Sequence, residues 1–149
     1  MLLSSVQIKR GIRIMCDKAV IDAKSFLKTN LYYLINISGH FPTDLMPANI
    51  DKFRLRDKDI YSSNIKQAEN VLYCVALAIR DCKDEPRKPY RTILIDLYLK
   101  DMLNLEVQQE VGYSRSRYNT FKKQALQDFT QRFNYYAVQE GISSLIELS

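Results

Sequence analysis

Glycine and proline are scarce in this chain, four of each in 149 residues. A β-rich fold made of many tight turns needs more of both, so their scarcity points to helices. Tryptophan is absent and histidine occurs once, at His40. The three cysteines, Cys16, Cys74 and Cys82, form no Cys-x-x-Cys pair. With one histidine and no cysteine cluster, no zinc-ligand pattern exists. An odd number of cysteines without pairing signals suits free, buried thiols in a reducing cytosol. The glycines stand apart, at positions 11, 39, 112 and 141, and no G-x-S-x-G elbow occurs. A phosphate-cradling loop and an α/β-hydrolase nucleophile are thereby excluded. Nothing near His40 orients a base for a cysteine nucleophile, and the carboxylate pair Asp84-Glu85 lies in a polar stretch. The expectation is a protein that is not an enzyme and has no catalytic residues, metal or cofactor.

Long hydrophobic runs are missing too. The longest, Val71 to Ile79, falls far short of the ~20 residues of a membrane span. Met1-Leu2-Leu3 is too short for a signal sequence, and Lys9 and Arg10 follow it instead of preceding it. These features predict a cytoplasmic protein without a membrane partner.

What is present is ordinary for a globular chain: 46% hydrophobic and 26% charged residues, enough for one or two small domains. The net charge of +5 is unevenly spread. Arg115, Arg117, Lys122 and Lys123 stand together without a neighbouring acid, and the rest of the chain holds 18 basic against 17 acidic residues. A local positive concentration of this kind suits a nucleic-acid surface.

Along the chain, residues 3–15 place Ile8, Ile12 and Met15 at helical spacing, with Lys9, Arg10 and Arg13 between them. They read as a short helix with a solvated face, or alternatively as a basic arm. From Asp17 to Ile37, Val20, Ala23, Leu27, Leu31 and Leu34 recur every three or four residues, a helix that Asp17 can cap and Ser38-Gly39 ends. Tyr32 and Tyr33 read as core or interface aromatics in preference to a base-stacking pair. Residues 40–59, with Pro42 and Pro47 and no periodic apolar pattern, read as a linker whose charged part, 52–59, is solvated. Ile60 to Cys82 forms a helix with Ala68, Val71, Leu72, Val75, Ile79 and Cys82 in one stripe, packed within the chain or used as a homodimer seam. The polar, proline-bearing stretch 83–89 is the best boundary, dividing an N-terminal helical interaction region, 1–86, from a C-terminal domain, 87–149.

The C-terminal domain reads as three consecutive helices. The first, 89–101, gathers Tyr90, Ile93, Leu94, Leu97 and Tyr98 on one face. The second, 105–111, is opened by Asn104 as N-cap and stopped by Gly112. Tyr113 bridges the turn, and Ser114 caps a third helix that continues through Tyr136 and Ala137 to Gly141. Tyr118, Phe121, Ala125 and Phe129 share its inner side; Ser116, Asn119, Thr120, Lys123 and Gln127 share the opposite one. Lys122 falls at the border of the inner face. The tail, 142–148, is short and apolar and either docks on the body or meets a partner.

Short helix, glycine turn and Ser-capped helix make a helix-turn-helix pattern. Gly112-Tyr113-Ser114, Tyr118 four residues after the serine, Ala125-Leu126 and Phe129 resemble the DNA-binding helix-turn-helix at the C-terminal end of bacterial sigma factors. The pattern often carries an apolar or Arg residue where Lys122 and Gln124 stand here. More narrowly, the chain resembles the ArpU family of phage late transcription regulators, relatives in role of the RinA-type activators. Ala23-Lys24-Ser25-Phe26-Leu27, Tyr32-Tyr33-Leu34 and Phe41-Pro42-Thr43-Asp44-Leu45-Met46-Pro47 carry that likeness upstream, so it covers most of the chain.

The expected fold is all-α: an N-terminal helical region, then a three-helix domain of the sigma C-terminal type. The expected DNA-binding residues are Arg115, Ser116, Arg117, Asn119, Thr120 and Lys123. Asn119 can pair with adenine, Ser116 and Thr120 can serve several base edges, and the arginines can serve guanine or phosphate. The resemblance implies a phage or prophage activator of late packaging, morphogenesis and lysis genes. Its partners would be promoter DNA and host RNA polymerase, in the bacterial host cytoplasm, with a homodimer as one assembly. The alternative is a DNA-packaging component like a terminase small subunit, which pairs such a motif with a ring-forming helical region.

Overall fold

In a computed structural model, residues 18–54 and 63–149 are described. The basic segment with Lys9, Arg10 and Arg13, the cap assigned to Asp17, Cys16 and the charged stretch 55–59 lie outside them. The fold is all-α, with two very short strand pairs. Strand β1, Ala19–Ile21, precedes helix α1, residues 23–38. Two 3-10 turns, Pro42–Leu45 and Pro47–Asn49, lead into α2, Ile50–Arg54. Helix α3, Ser63–Asp81, is followed by a hairpin of β2, Asp84–Glu85, and β3, Lys88–Pro89. Then come α4, residues 90–99, α5, Asn104–Val111, α6, Arg115–Gln139, and strand β4, Ile146–Leu148.

Helix α3 is the centre of the core because its second half, residues 71–79, is apolar on every side. Val71, Leu72, Cys74, Val75, Ala76, Leu77, Ala78 and Ile79 are all buried, and α3 packs against α1 on one side and α6 on the other. The stripe read as core or dimer seam is therefore occupied within the chain. The α3–α6 contact is fastened at its end by Asp81, which takes a hydrogen bond from the Tyr136 hydroxyl and an ion pair from Arg80 at 2.8 Å. Beside it, burial and the nearby Asp128 push the Cys82 thiol up to about 12.

Helix α1 departs from the sequence reading at its start. Residues 19–21 are extended, and Val20 is exposed at 62%. The reason lies at the other end of the chain: β4 pairs in parallel with β1, Ala19 opposite Ile146 and Ile21 opposite Leu148. This pairing docks the apolar tail on the body. Asp22 then caps α1 by accepting the Ser25 N–H at 3.1 Å. Ala23, Phe26, Leu27, Leu31, Leu34 and Ile35 face the core. A π-turn at Phe26–Asn30 shifts the phase of that stripe, and Gly39, at φ 74°, ends the helix.

The proline-bearing segment after α1 is packed and not a solvated linker. Leu45, Ile50 and Phe53 are buried, and Lys52 alone of the 52–53 pair is exposed. Its organiser is His40, whose ring stacks on Phe53 at 4.4 Å and meets Asp44 at 2.9 Å and Glu69 of α3 at 2.6 Å. The hinge at 83–89 is a hairpin whose turn is Pro86-Arg87. Asp84 there caps α4 by accepting the Thr92 N–H and hydroxyl, at 3.2 and 2.8 Å. One hydrophobic cluster holds side chains from both sides of the hairpin. Regions 1–86 and 87–149 thus share a core among the described residues.

Candidate nucleic-acid interface

The candidate surface is built by α5, the turn at 112–114 and the first half of α6. Gly112 ends α5 at φ 80°, a left-handed conformation that favours glycine, and its N–H bonds the Gln108 carbonyl at 3.0 Å. Tyr113 is tied down twice. Its ring meets Phe121 edge-on at 4.8 Å, and its hydroxyl donates to the Pro86 carbonyl in the hairpin turn. Ser114 caps α6, its hydroxyl oxygen accepting the Arg117 N–H at 3.3 Å. The start of α6 is thereby fixed by a glycine and a serine cap, local devices visible in the sequence, and by a tyrosine clamp that only the tertiary structure supplies.

The faces of α6 fall as the spacing predicts. Tyr118, Phe121, Ala125 and Phe129 are buried, continued by Phe133 and Ala137. Arg115, Ser116, Asn119, Thr120, Lys123 and Gln127 are exposed. Thr120 also donates its hydroxyl to the Ser116 carbonyl at 3.2 Å, a bond within the helix. Arg117 is exposed but stands apart from the others. Its guanidinium lies 5.9 Å from the centre of the Tyr113 ring and 5.6 Å from that of Phe121, a cation–π arrangement that orients it. At about 100° per residue, Arg115 and Asn119 follow one flank of the outer face, with Lys122 next to them at the border of the inner face, and Arg117 follows the other flank.

Two residues take roles other than those expected. Asn104 is the first residue of α5 and not its cap; Leu103 precedes the helix, and Glu106 accepts the Leu103 N–H at 2.9 Å. The Asn104 amide oxygen instead accepts the Tyr118 hydroxyl at 2.8 Å and the Lys122 ammonium at 3.2 Å. Lys122 is therefore turned toward α5 and is half-buried, 5.9 Å from the centre of the Tyr118 ring. Burial first, then repulsion from Lys24 and Lys28, holds its ammonium pKa below the usual lysine value. Gln124, the other departure from the sigma-like pattern, accepts the Tyr90 hydroxyl at 2.8 Å and so joins α6 to α4.

Lys24 and Lys28 of α1 are the residues the sequence reading missed. Each is exposed, and with Lys122 they line a cavity of about 230 Å³ beside Asn104. Their i, i+4 spacing on the polar side of an amphipathic helix is the one signal that marked them as a pair. Among the described residues, no group of three or more His, Cys, Asp or Glu is placed to hold a metal ion. No helix there is long and apolar enough to cross a membrane.

No family model matches the chain, and no curated protein or solved structure matches it.

Proposed function

We propose that the protein is a sequence-specific double-stranded DNA-binding regulator of transcription, with α5, the turn and α6 acting as a helix-turn-helix. The observation that carries the reading is the two-sided start of α6. One side is anchored in the core through Tyr118, Phe121, Ala125 and Phe129, and the other offers Arg115, Ser116, Asn119, Thr120 and Lys123 to solvent. Ten residues, 114–123, carry four positive charges and no acid. A rigid, positively charged helix end with short polar side chains is what base readout in a major groove requires. The resemblance to the ArpU family extends the proposal to a phage or prophage activator of late genes that works with host RNA polymerase.

Burial of the α3 stripe inside the chain supports a regulator over a terminase-like ring, because that stripe is not free for a ring seam. The test is selection of bound sequences from a random duplex library, followed by footprinting and light scattering. The expected result is one enriched motif, protected at a promoter by a monomer or dimer. A large ring on packaging-site DNA would replace this reading with the packaging one, and absence of salt-sensitive binding would end both.

A further inference from the structure

The cavity between α1 and the start of α5 has a distinctive wall. Lys24 and Lys28 come from α1, Lys122 from α6 and Asn104 from α5; Tyr32, Tyr98 and Asp101 complete the polar lining. Lysine is a donor only, so the Asn104 atom that faces Lys122 and Tyr118 is the oxygen, which leaves the amide N–H groups as its remaining capacity. Tyr32 spends its hydroxyl proton on the Tyr98 carbonyl. The wall therefore carries three ammonium groups and an amide donor against a single carboxylate, that of Asp101. Like charges gathered in a concave site repel one another until an anion enters, and an anion is held there by charge-assisted hydrogen bonds.

Size and position narrow the anion. About 230 Å³ is below the roughly 300–1,000 Å³ of pockets that enclose whole small molecules, and it suits a single anionic group. The cavity also adjoins the outer face of α6. Lys122 lies one helical turn beyond Asn119 at the border of the inner face, and Lys24 lines both this cavity and a neighbouring groove that includes Lys123. We infer that this cavity between α1 and α5 is a phosphate site, in which Lys24, Lys28, Lys122 and Asn104 take one backbone phosphate of the duplex read by α6. The inference rests on the DNA-binding reading. It gives the N-terminal region a direct part in binding: it fixes the register of α6 on the duplex through a contact that carries no sequence information.

The experiment is a salt titration of duplex binding, by fluorescence anisotropy, on a selected site and on random DNA. The full-length chain would be compared with Lys24→Gln/Lys28→Gln, Asp101→Asn and Lys123→Ala. Lys24 and Lys28 are exposed, so their replacement leaves the core intact, which thermal unfolding of each variant checks. One phosphate accounts for about 0.9 unit in the slope of log affinity against log salt. The double lysine variant is expected to lose about one unit, not two, on both DNAs, because its two lysines serve the same phosphate. Asp101→Asn is expected to bind both DNAs several-fold more tightly, since it removes the only negative charge on the wall. If wild type binds DNA and Lys123→Ala lowers the slope while the double lysine variant and Asp101→Asn match wild type in slope and affinity, the phosphate site is overturned and the DNA-binding reading stands. If wild type shows no salt-dependent binding, the reading falls and the site with it. A parallel titration with inorganic pyrophosphate, followed by NMR, covers the free-ligand source. Tight binding there, lost in the lysine variant while the DNA slope is unchanged, would overturn the inference in favour of a small phosphorylated ligand.

Discussion

Tyr118 and Asn104 lock α6 to α5 through a hydrogen bond of 2.8 Å from the tyrosine hydroxyl to the amide oxygen. The bond is largely shielded, since Tyr118 is only 1% exposed. Burial, then the proximity of Tyr98 and Asp96, pushes its phenol up to about 12. Tyr118→Phe is expected to lower stability by about 0.5–1.5 kcal/mol at neutral pH, the usual net worth of such a bond. A tyrosine raised in the folded state contributes stability that is full below its ordinary value of about 10 and is lost as pH rises toward the folded value. Urea denaturation between neutral pH and the alkaline range should show that loss in wild type and a smaller one in Tyr118→Phe. Equal slopes in the two proteins would mean the phenol is not buried as described.

Phe129 lies on the inner side of α6, its ring 6.0 Å from that of Phe133, and is fully buried. Phe129→Ala is expected to cost roughly 3–5 kcal/mol through lost burial and the cavity left behind. Chemical unfolding measures it, and an unchanged midpoint would contradict the facing of α6.

Asp96 is buried at the end of α4, and its carboxyl is held above the usual carboxylate range by burial, then by a hydrogen bond and repulsion from Glu110 of α5, with Lys100 opposing. Since the fold favours the protonated form, its contribution is full below the ordinary aspartate value and declines as pH rises through the raised one. Asp96→Asn keeps an amide donor for Glu110 and cannot ionise. Its stability relative to wild type should therefore grow from acid to neutral pH. Thermal melts across that range check the sign; a gap that shrinks with pH would contradict it.

On the proposed DNA-binding reading, the outer face of α6 separates into two kinds of contact. Asn119→Ala should cost about 1–3 kcal/mol on the selected site and nothing on random DNA, as a lost base contact does. Lys123→Ala should weaken both and reduce the salt slope by about one unit. Arg117, oriented by Tyr113 and Phe121, is expected to depend on those rings, so Tyr113→Ala should weaken DNA binding along with Arg117→Ala. Should substitutions at 115, 117, 119 and 123 all leave binding unchanged, α6 is not the reading element.

The sequence by itself determined what local physics controls. Gly39, Gly112 and Gly141 stop helices because left-handed backbone favours glycine, and each adopts positive φ. Ser114 caps α6 because its hydroxyl is placed to take an orphan N–H. The spacing of Tyr118, Phe121, Ala125 and Phe129 forced one face inward, and with it left Asn119, Thr120 and Lys123 outward. Tertiary structure decided whatever depends on partners distant in sequence. Ala19–Ile21 is a strand only because β4 arrives beside it; alone, its periodicity extends the helix. Residues 40–54 look like a linker until His40 finds Glu69 and Phe53. Asn104 reads as a cap, yet Tyr118 and Lys122 claim its oxygen, and Lys24 and Lys28 gain their meaning from Lys122, which lies far along the chain. Periodicity records which way a side chain points along its own helix; which group waits there is set by the packing of one helix on another.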